Sequence, residues 1–157
     1  MKLEKRVILA LTEKGKTLAL AESCTGGAVA SRLVSVPGAS RVFLGGIVSY
    51  TDAVKHVALG VREETLAKNT AVSAPVAREM AEGARDRLSS DLAVSVTGLA
   101  GPGGGTEEIP VGRVFIGLAT EEGSDALCLA LRGGRRRIRR KAADMALFLI
   151  LSALNSH

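Results

Sequence analysis

The chain has no tryptophan, one tyrosine (Tyr50) and three phenylalanines in 157 residues. Its interior must therefore be built from Ala, Val, Leu and Ile, and it offers few platforms on which unpaired nucleic-acid bases could stack. Histidine is equally scarce. His56 and His157 are the only two, and no Cys, His and carboxylate set has the spacing of a zinc site, so neither a metal nor another cofactor is expected. A Ser-His-Asp triad would have to rely on His56, which makes a lysine the better candidate for a general base. Cys24 and Cys128 are too few for a disulfide framework in a chain of this length. Long apolar runs are also missing. The longest near the end, 142–154, is broken by Asp144 and is too short to span a bilayer. The opening residues lack the apolar stretch and cleavage site of a signal peptide. A cytoplasmic location and no membrane partner are the expectation.

With 46% apolar and 24% charged residues, the composition is that of a folded globular protein. The length suits one domain covering residues 1–157, and no repeat, linker or shift in composition divides it. The net charge of +5 is local. Seven basic and no acidic residues lie between Arg132 and Lys141, and removing those seven leaves the remainder at −2. Such a patch can grip the phosphate of a small molecule as readily as a polymer backbone. A nucleic-acid partner is not the expectation, and binding of that kind would fall steeply with salt.

Hydrophobic spacing and breakers predict alternating helices and strands. Residues 3–14 carry Leu3, Val7, Ile8 and Leu11 at helical intervals, with Gly15 where the helix should stop. Strands are predicted at 17–21, 42–50, 92–97, 111–119 and 126–131, the last two joined through Glu121 to Ser124. Helices are predicted at 28–36, 52–59, 62–68, 74–88 and 135–154. Ser73 serves as N-cap of the fifth, with Pro75 in its first turn. This order implies an α/β fold: a three-layer α/β/α sandwich around a mixed β-sheet, in a single domain.

Four segments carry candidate chemistry. In 21–27 (AESCTGG) a strand passes into a helix, and Ser23 stands where a nucleophile could sit. The N–H groups of Thr25, Gly26 and Gly27 are available to an anion or a developing oxyanion. A plain helix cap at Ser23 or Thr25 is the alternative, and Cys24 is either a rival nucleophile or a small core residue. In 49–56 (SYTDAVKH), Tyr50 ends a strand and Lys55 falls in the first turn of the next helix. The helix dipole and partial burial would both lower the lysine pKa, whereas a nearby Asp52 would oppose the shift. A neutral Lys55 could accept a serine proton; a solvated surface lysine is the plain alternative. The loop 98–106 (GLAGPGGGT) exposes backbone N–H groups, yet it matches neither a P-loop nor a dinucleotide fingerprint, and a flexible connection would look the same. In the basic run, Arg136, Arg139 and Arg140 share one helix face, with Arg135 near the helix start. They form either an anion site or a solvated face.

Taken in order and spacing, AESCTGG at 21–27, GGIVSYTDAVKHVALGV at 45–61, AVSAPVAREMAEGA at 71–84 and SVTGLAGPGGGTEEIPVGRVFIGLA at 95–119 resemble the C-terminal domain family of competence-damage-inducible protein CinA. The resemblance spans nearly the whole chain. It implies an amidohydrolase converting nicotinamide mononucleotide to nicotinate mononucleotide and ammonia, in the stand-alone form. It also implies Ser23 as nucleophile, Lys55 and Tyr50 as its activating partners, and a homodimer or higher homo-oligomer. Thr25, Gly26, Gly27, Gly98, Ala100, Gly101, Arg135, Arg139 and Arg140 become expected substrate contacts. Where members commonly read Gly-Asp/Asn-Arg, this chain has Gly133-Gly134-Arg135, so a side chain that could cap the helix or touch the ligand is absent. A catalytically silent nucleotide- or protein-binding module linked to competence and recombination is the alternative.

Overall fold

Two of the five strands have side chains of very different size on their two faces, and this asymmetry organises the layers. The computed structural model describes residues 1–156. Along the chain it runs α1 (Leu3–Lys14), β1 (Leu18–Glu22), α2 (Ala28–Val34), a single 3-10 turn (Ala39–Arg41), β2 (Phe43–Val48), α3 (Asp52–Leu59), α4 (Glu63–Asn69), α5 (Ala74–Leu88), β3 (Leu92–Gly98), β4 (Arg113–Thr120), β5 (Gly123–Ala130) and α6 (Arg135–Asn155). The strands form one sheet in the order β2-β1-β3-β4-β5. β1 is parallel to both β2 and β3, while β3-β4 and β4-β5 are antiparallel. The sheet is mixed and lies between two helical layers, as the sequence predicts.

On one face Leu18 and Leu20 of β1, Leu92, Val94 and Val96 of β3 and Val114 and Ile116 of β4 meet α1, α2 and α6 in the main apolar cluster. On the other face stand Ala19, Ala21 and Ala93, with Ser95 and Gly117 paired on neighbouring strands. These small residues let α5 lie almost on the sheet: the Ser95 hydroxyl donates to Ala77 O at 2.6 Å. α3 and α4 pack against α5. Leucine, valine and isoleucine on one side and alanine and glycine on the other take the place of aromatic filling.

Local signals account for most boundaries. Gly15 and Gly60 adopt left-handed conformations that close α1 and α3. Thr51 caps α3 by accepting from Val54 N–H, and Ser73 caps α5 by accepting from Val76 N–H. Several expected boundaries shift. The strand expected at 42–50 runs Phe43–Val48, leaving Tyr50 beyond its end, and the one expected at 111–119 runs Arg113–Thr120. The helix starting at Ala28 ends at Val34 rather than at residue 36. The last strand starts at Gly123, because Thr120 pairs with Gly123 and leaves Glu121-Glu122 as a two-residue turn. The Thr120 hydroxyl accepts from Glu122 N–H inside that turn, so polar residues assigned to a connection are in fact zipped into a hairpin. None of the described helices is long and apolar enough to cross a membrane.

Gly83 of α5 faces the C-terminal end of α3, where an added Cβ would lie 1.8 Å from the Leu59 carbonyl oxygen. Alanine has the higher helix propensity, by about 1 kcal/mol. Gly83→Ala is nevertheless expected to lower the unfolding free energy, since forced overpacking costs about 1–3 kcal/mol or more. A denaturant titration showing equal or greater stability would disprove this account of the α3–α5 contact.

Candidate active site

Because β1, β2 and β3 run parallel, their C-terminal ends at Glu22, Val48 and Gly98 lie along one edge of the sheet. Segments leaving that edge are where open α/β sheets place ligands. Ser23 leaves β1 there, with its N–H fixed to Val96 O of β3. Ser49 and Tyr50 leave β2, and Thr51 then starts α3 and brings Lys55 back toward β1.

Lys55 is 1% exposed and Ser23 7%. The lysine Nζ lies 2.9 Å from Ser23 Oγ and donates at 2.8 Å to Ser49 O. Ser49 N–H in turn donates to Glu22 O, which ties the two strand ends together. No carboxylate forms an ion pair with this lysine among the described residues. Burial holds its pKa below the ordinary lysine value, and Asp52 opposes the shift only in part. A neutral amine has two N–H donors and one lone pair. One donor serves Ser49 O, and the lone pair is left to accept the Ser23 hydroxyl proton. His56 cannot play this part, since its Nδ1 is bonded to Val61 O and its Nε2 points toward Glu63.

The turn after Ser23 is held from both sides. Glu22, 2% exposed, accepts from Val29 N–H and Ala30 N–H at 3.0 Å each, so a carboxylate already occupies the start of α2. A substrate anion therefore has no claim on those two donors, and neither Ser23 nor Thr25 caps this helix through its side chain. The cap position is Gly27, left-handed at φ 98, preceded by Gly26 at φ 59. Gly26 N–H closes onto Ser23 O and Ala28 N–H onto Thr25 O. Thr25 N–H and Gly27 N–H make no backbone hydrogen bond among the described residues. Arg139 of α6 grips the turn from the opposite side, its Nε donating to Cys24 O at 2.9 Å and one Nη to Thr25 O at 3.0 Å. The hydroxyls of Thr25 and Ser49, both fully buried, have no hydrogen-bond partner among the described residues.

The remaining candidates are distributed around this pair. Arg135 donates to Gly101 O at 2.8 Å and to the Tyr50 hydroxyl at 3.1 Å, so α6, the glycine-rich loop and the end of β2 meet at one guanidinium. Tyr50 is 61% exposed, and its hydroxyl is engaged by Arg135 instead of by Ser23 or Lys55. Gly98 ends β3, where a Cβ would strike Val114 and Arg113 O, and Ala100 is buried in the main apolar cluster. Arg140 is exposed. Gly134 caps α6 with no side-chain hydrogen bond. Sequence reasoning gave no role to Glu22 or to the Ser49 carbonyl. A lone carboxylate ending the buried run Leu-Ala-Leu-Ala was a usable signal for Glu22, whereas a backbone carbonyl leaves no trace in sequence. A concavity of about 530 Å³ lies elsewhere, between Lys14, Leu92, Leu118 and Leu154, and includes none of these residues.

The surroundings of Cys24 count against it as the nucleophile. It is buried, and burial pushes its thiol up to about 11, so thiolate is scarce at neutral pH. Cys128 is exposed on β5. Iodoacetamide at pH 8 is expected to modify Cys128 and leave Cys24 untouched until the protein is unfolded. Mass spectrometry showing Cys24 alkylated first in the native protein would contradict this.

Comparison with known proteins agrees with this architecture. The CinA C-terminal domain model matches residues 1–154. A CinA-like protein of Anaeromyxobacter sp. (strain K) is 50% identical over 148 residues, covering 94% of this chain and 36% of the relative. One from Thermotoga maritima is 48% identical over 146 residues, covering 93% and 36%. The chain thus spans about a third of the length of these curated relatives. Among solved structures, the competence/damage inducible protein CihA from Agrobacterium tumefaciens is 41% identical with a TM-score of 0.93, covering 98% of this chain and 93% of that one. A CinA superfamily protein from Klebsiella pneumoniae is 31% identical with a TM-score of 0.95, covering 99% and 97%. The family match over nearly every residue, together with structures that superpose along the full length, makes this chain a member of the CinA C-terminal domain family.

Proposed function

We propose that the chain is a nicotinamide-nucleotide amidase that hydrolyses the carboxamide of nicotinamide mononucleotide to nicotinate mononucleotide and ammonia. The observation that carries this reading is the 2.9 Å contact between Ser23 Oγ and the buried Nζ of Lys55. A lysine buried without a carboxylate partner is destabilising in its charged form. Its placement against a hydroxyl serves proton abstraction better than structure.

In the first step Lys55 Nζ takes the Ser23 proton while Ser23 Oγ bonds to the carboxamide carbon. The carbonyl π electrons move to oxygen, and the free N–H groups of the 24–27 turn receive that oxyanion. On collapse the C–N bond breaks and the ammonium form of Lys55 returns its proton to the leaving nitrogen, releasing ammonia. Water then attacks the acyl carbon with Lys55 again as base. The Ser23 ester bond breaks, Lys55 returns the proton to Ser23 Oγ, and the acid is released. Arg135 and Tyr50 stand on the same sheet edge as candidates for holding the nucleotide.

The solved relatives carry names referring to competence and damage, and the second reading is a catalytically silent nucleotide- or protein-binding module linked to competence. Such a module would bind the nucleotide saturably and release no ammonia.

An ammonia-release assay on nicotinamide mononucleotide, with nicotinamide riboside beside it, separates the two. Wild-type protein is expected to release ammonia from the nucleotide, and Ser23→Ala to lose activity by about a thousandfold or more. Near-native turnover by Ser23→Ala would remove the assignment. The pH dependence follows from the direction of the Lys55 shift. Only neutral lysine is competent, so kcat/KM is expected to rise with pH along a limb whose midpoint lies below the free-lysine value of about 10.4. A midpoint at or above that value would mean that burial does not tune this amine.

A further inference from the structure

We propose that Arg139 is a positioning residue for the nucleophile turn, acting through the carbonyl oxygens of Cys24 and Thr25 and not through a substrate phosphate. This inference rests on the reading of Ser23 as the nucleophile given above.

The geometry follows from the trans peptide unit, in which C=O and N–H point in opposite directions. Arg139 Nε holds Cys24 O, so the N–H of the same peptide, that of Thr25, is directed away from the guanidinium. One Nη holds Thr25 O, and the N–H of that peptide, Gly26, points away to close on Ser23 O. Each carbonyl that Arg139 grips thus fixes the direction of an N–H on the far side of the turn. The Thr25 N–H is the one left without a backbone acceptor. A guanidinium also polarises the peptides it binds, because hydrogen bonds from an ionised donor are roughly twice as strong as neutral ones.

Four further observations support this role. The turn has positive φ at Gly26 and Gly27, where glycine's conformational freedom leaves room for a neighbouring side chain to define the path. A Cβ at Gly26 would stand 3.4 Å from the Arg139 Nη, so the guanidinium lies directly against the backbone. On the other side, Glu22 pins Val29 and Ala30. Arg139 is half-buried, while its neighbours Arg136, Arg137 and Arg140 are exposed to solvent and better placed to meet an incoming anion.

The test uses the full chain with Arg139→Lys and Arg139→Ala, read in two ways. The first is steady-state ammonia release from nicotinamide mononucleotide. The second is the rate at which an alkyl fluorophosphonate, which carries no nucleotide, phosphonylates Ser23. In that reaction the Ser23 Oγ–P bond forms, the P–F bond breaks, fluoride leaves and Lys55 takes the proton. Its transition state needs the same N–H donors. For Arg139→Ala, kcat and the labelling rate are expected to fall together by about 100-fold, the scale of losing one oxyanion donor, while KM changes by less than about threefold. Arg139→Lys, which can reach one carbonyl, is expected to recover part of both. A KM rise with unchanged kcat and unchanged labelling would overturn the proposal and make Arg139 a substrate ligand. If Arg139→Ala fails to fold, the Arg139→Lys pair of rates decides in the same way. If wild type is labelled at Ser23 but releases no ammonia, the substrate assignment fails while the labelling rates still test Arg139. If wild type is neither labelled nor active, both fall.

Discussion

An amine that cannot be fully solvated sits against a hydroxyl, and the rest of this structure arranges that meeting. Lys55 has only neutral oxygens in reach, those of Ser23 and Ser49. A buried cation there would have no hydrogen-bonded counter-charge and only the partial help of Asp52, so burial lowers the lysine pKa. The choice of lysine follows from composition as much as geometry. With His56 turned toward Val61 O, the described residues offer this site no free imidazole, and burial shifts a lysine toward the form that can act as a base.

Two opposite charges then shape the backbone between the strand and the helix. Glu22 supplies negative charge at the start of α2 and Arg139 supplies positive charge to the carbonyls of the turn. The carboxylate satisfies donors that would otherwise be open to an anion, and the guanidinium satisfies acceptors. What is left over is a short set of unengaged N–H groups next to Ser23. The glycines at 26 and 27 make the sharp path possible, but the two ionised side chains decide which way its dipoles point.

Much of this was legible in the sequence, for physical reasons that differ by element. The helix and strand order emerged because glycine stops, Ser and Thr caps and apolar spacing are local signals, and α3, α5 and their caps fall where Thr51, Ser73 and Pro75 indicate. The β4-β5 turn was harder. Glu122 and Gly123 look like loop residues, and only cross-strand pairing shows that Gly123 belongs to the ladder. For the site, Ser23 and Lys55 were visible as residue types of the right chemistry, but the direction of the lysine shift depended on a contest between burial and Asp52 that only three dimensions resolve. The partners of Arg135 and Arg139 were out of reach, because carbonyl acceptors are the same at every position. An arginine meant for a backbone looks identical, in sequence, to one meant for a phosphate.

The contact between Gly83 and the Leu59 carbonyl has a consequence for how this molecule tolerates change. Leu59 lies one helical turn beyond Lys55 on the same short helix, so the seat that α5 provides for α3 also sets the height at which the amine reaches toward Ser23. A side chain too large beneath α3 would act as a wedge, tilting the helix and lengthening a proton path that tolerates only fractions of an ångström. If the proposed chemistry holds, turnover is exposed to drift in a hidden, chemically inert seam between α3 and α5.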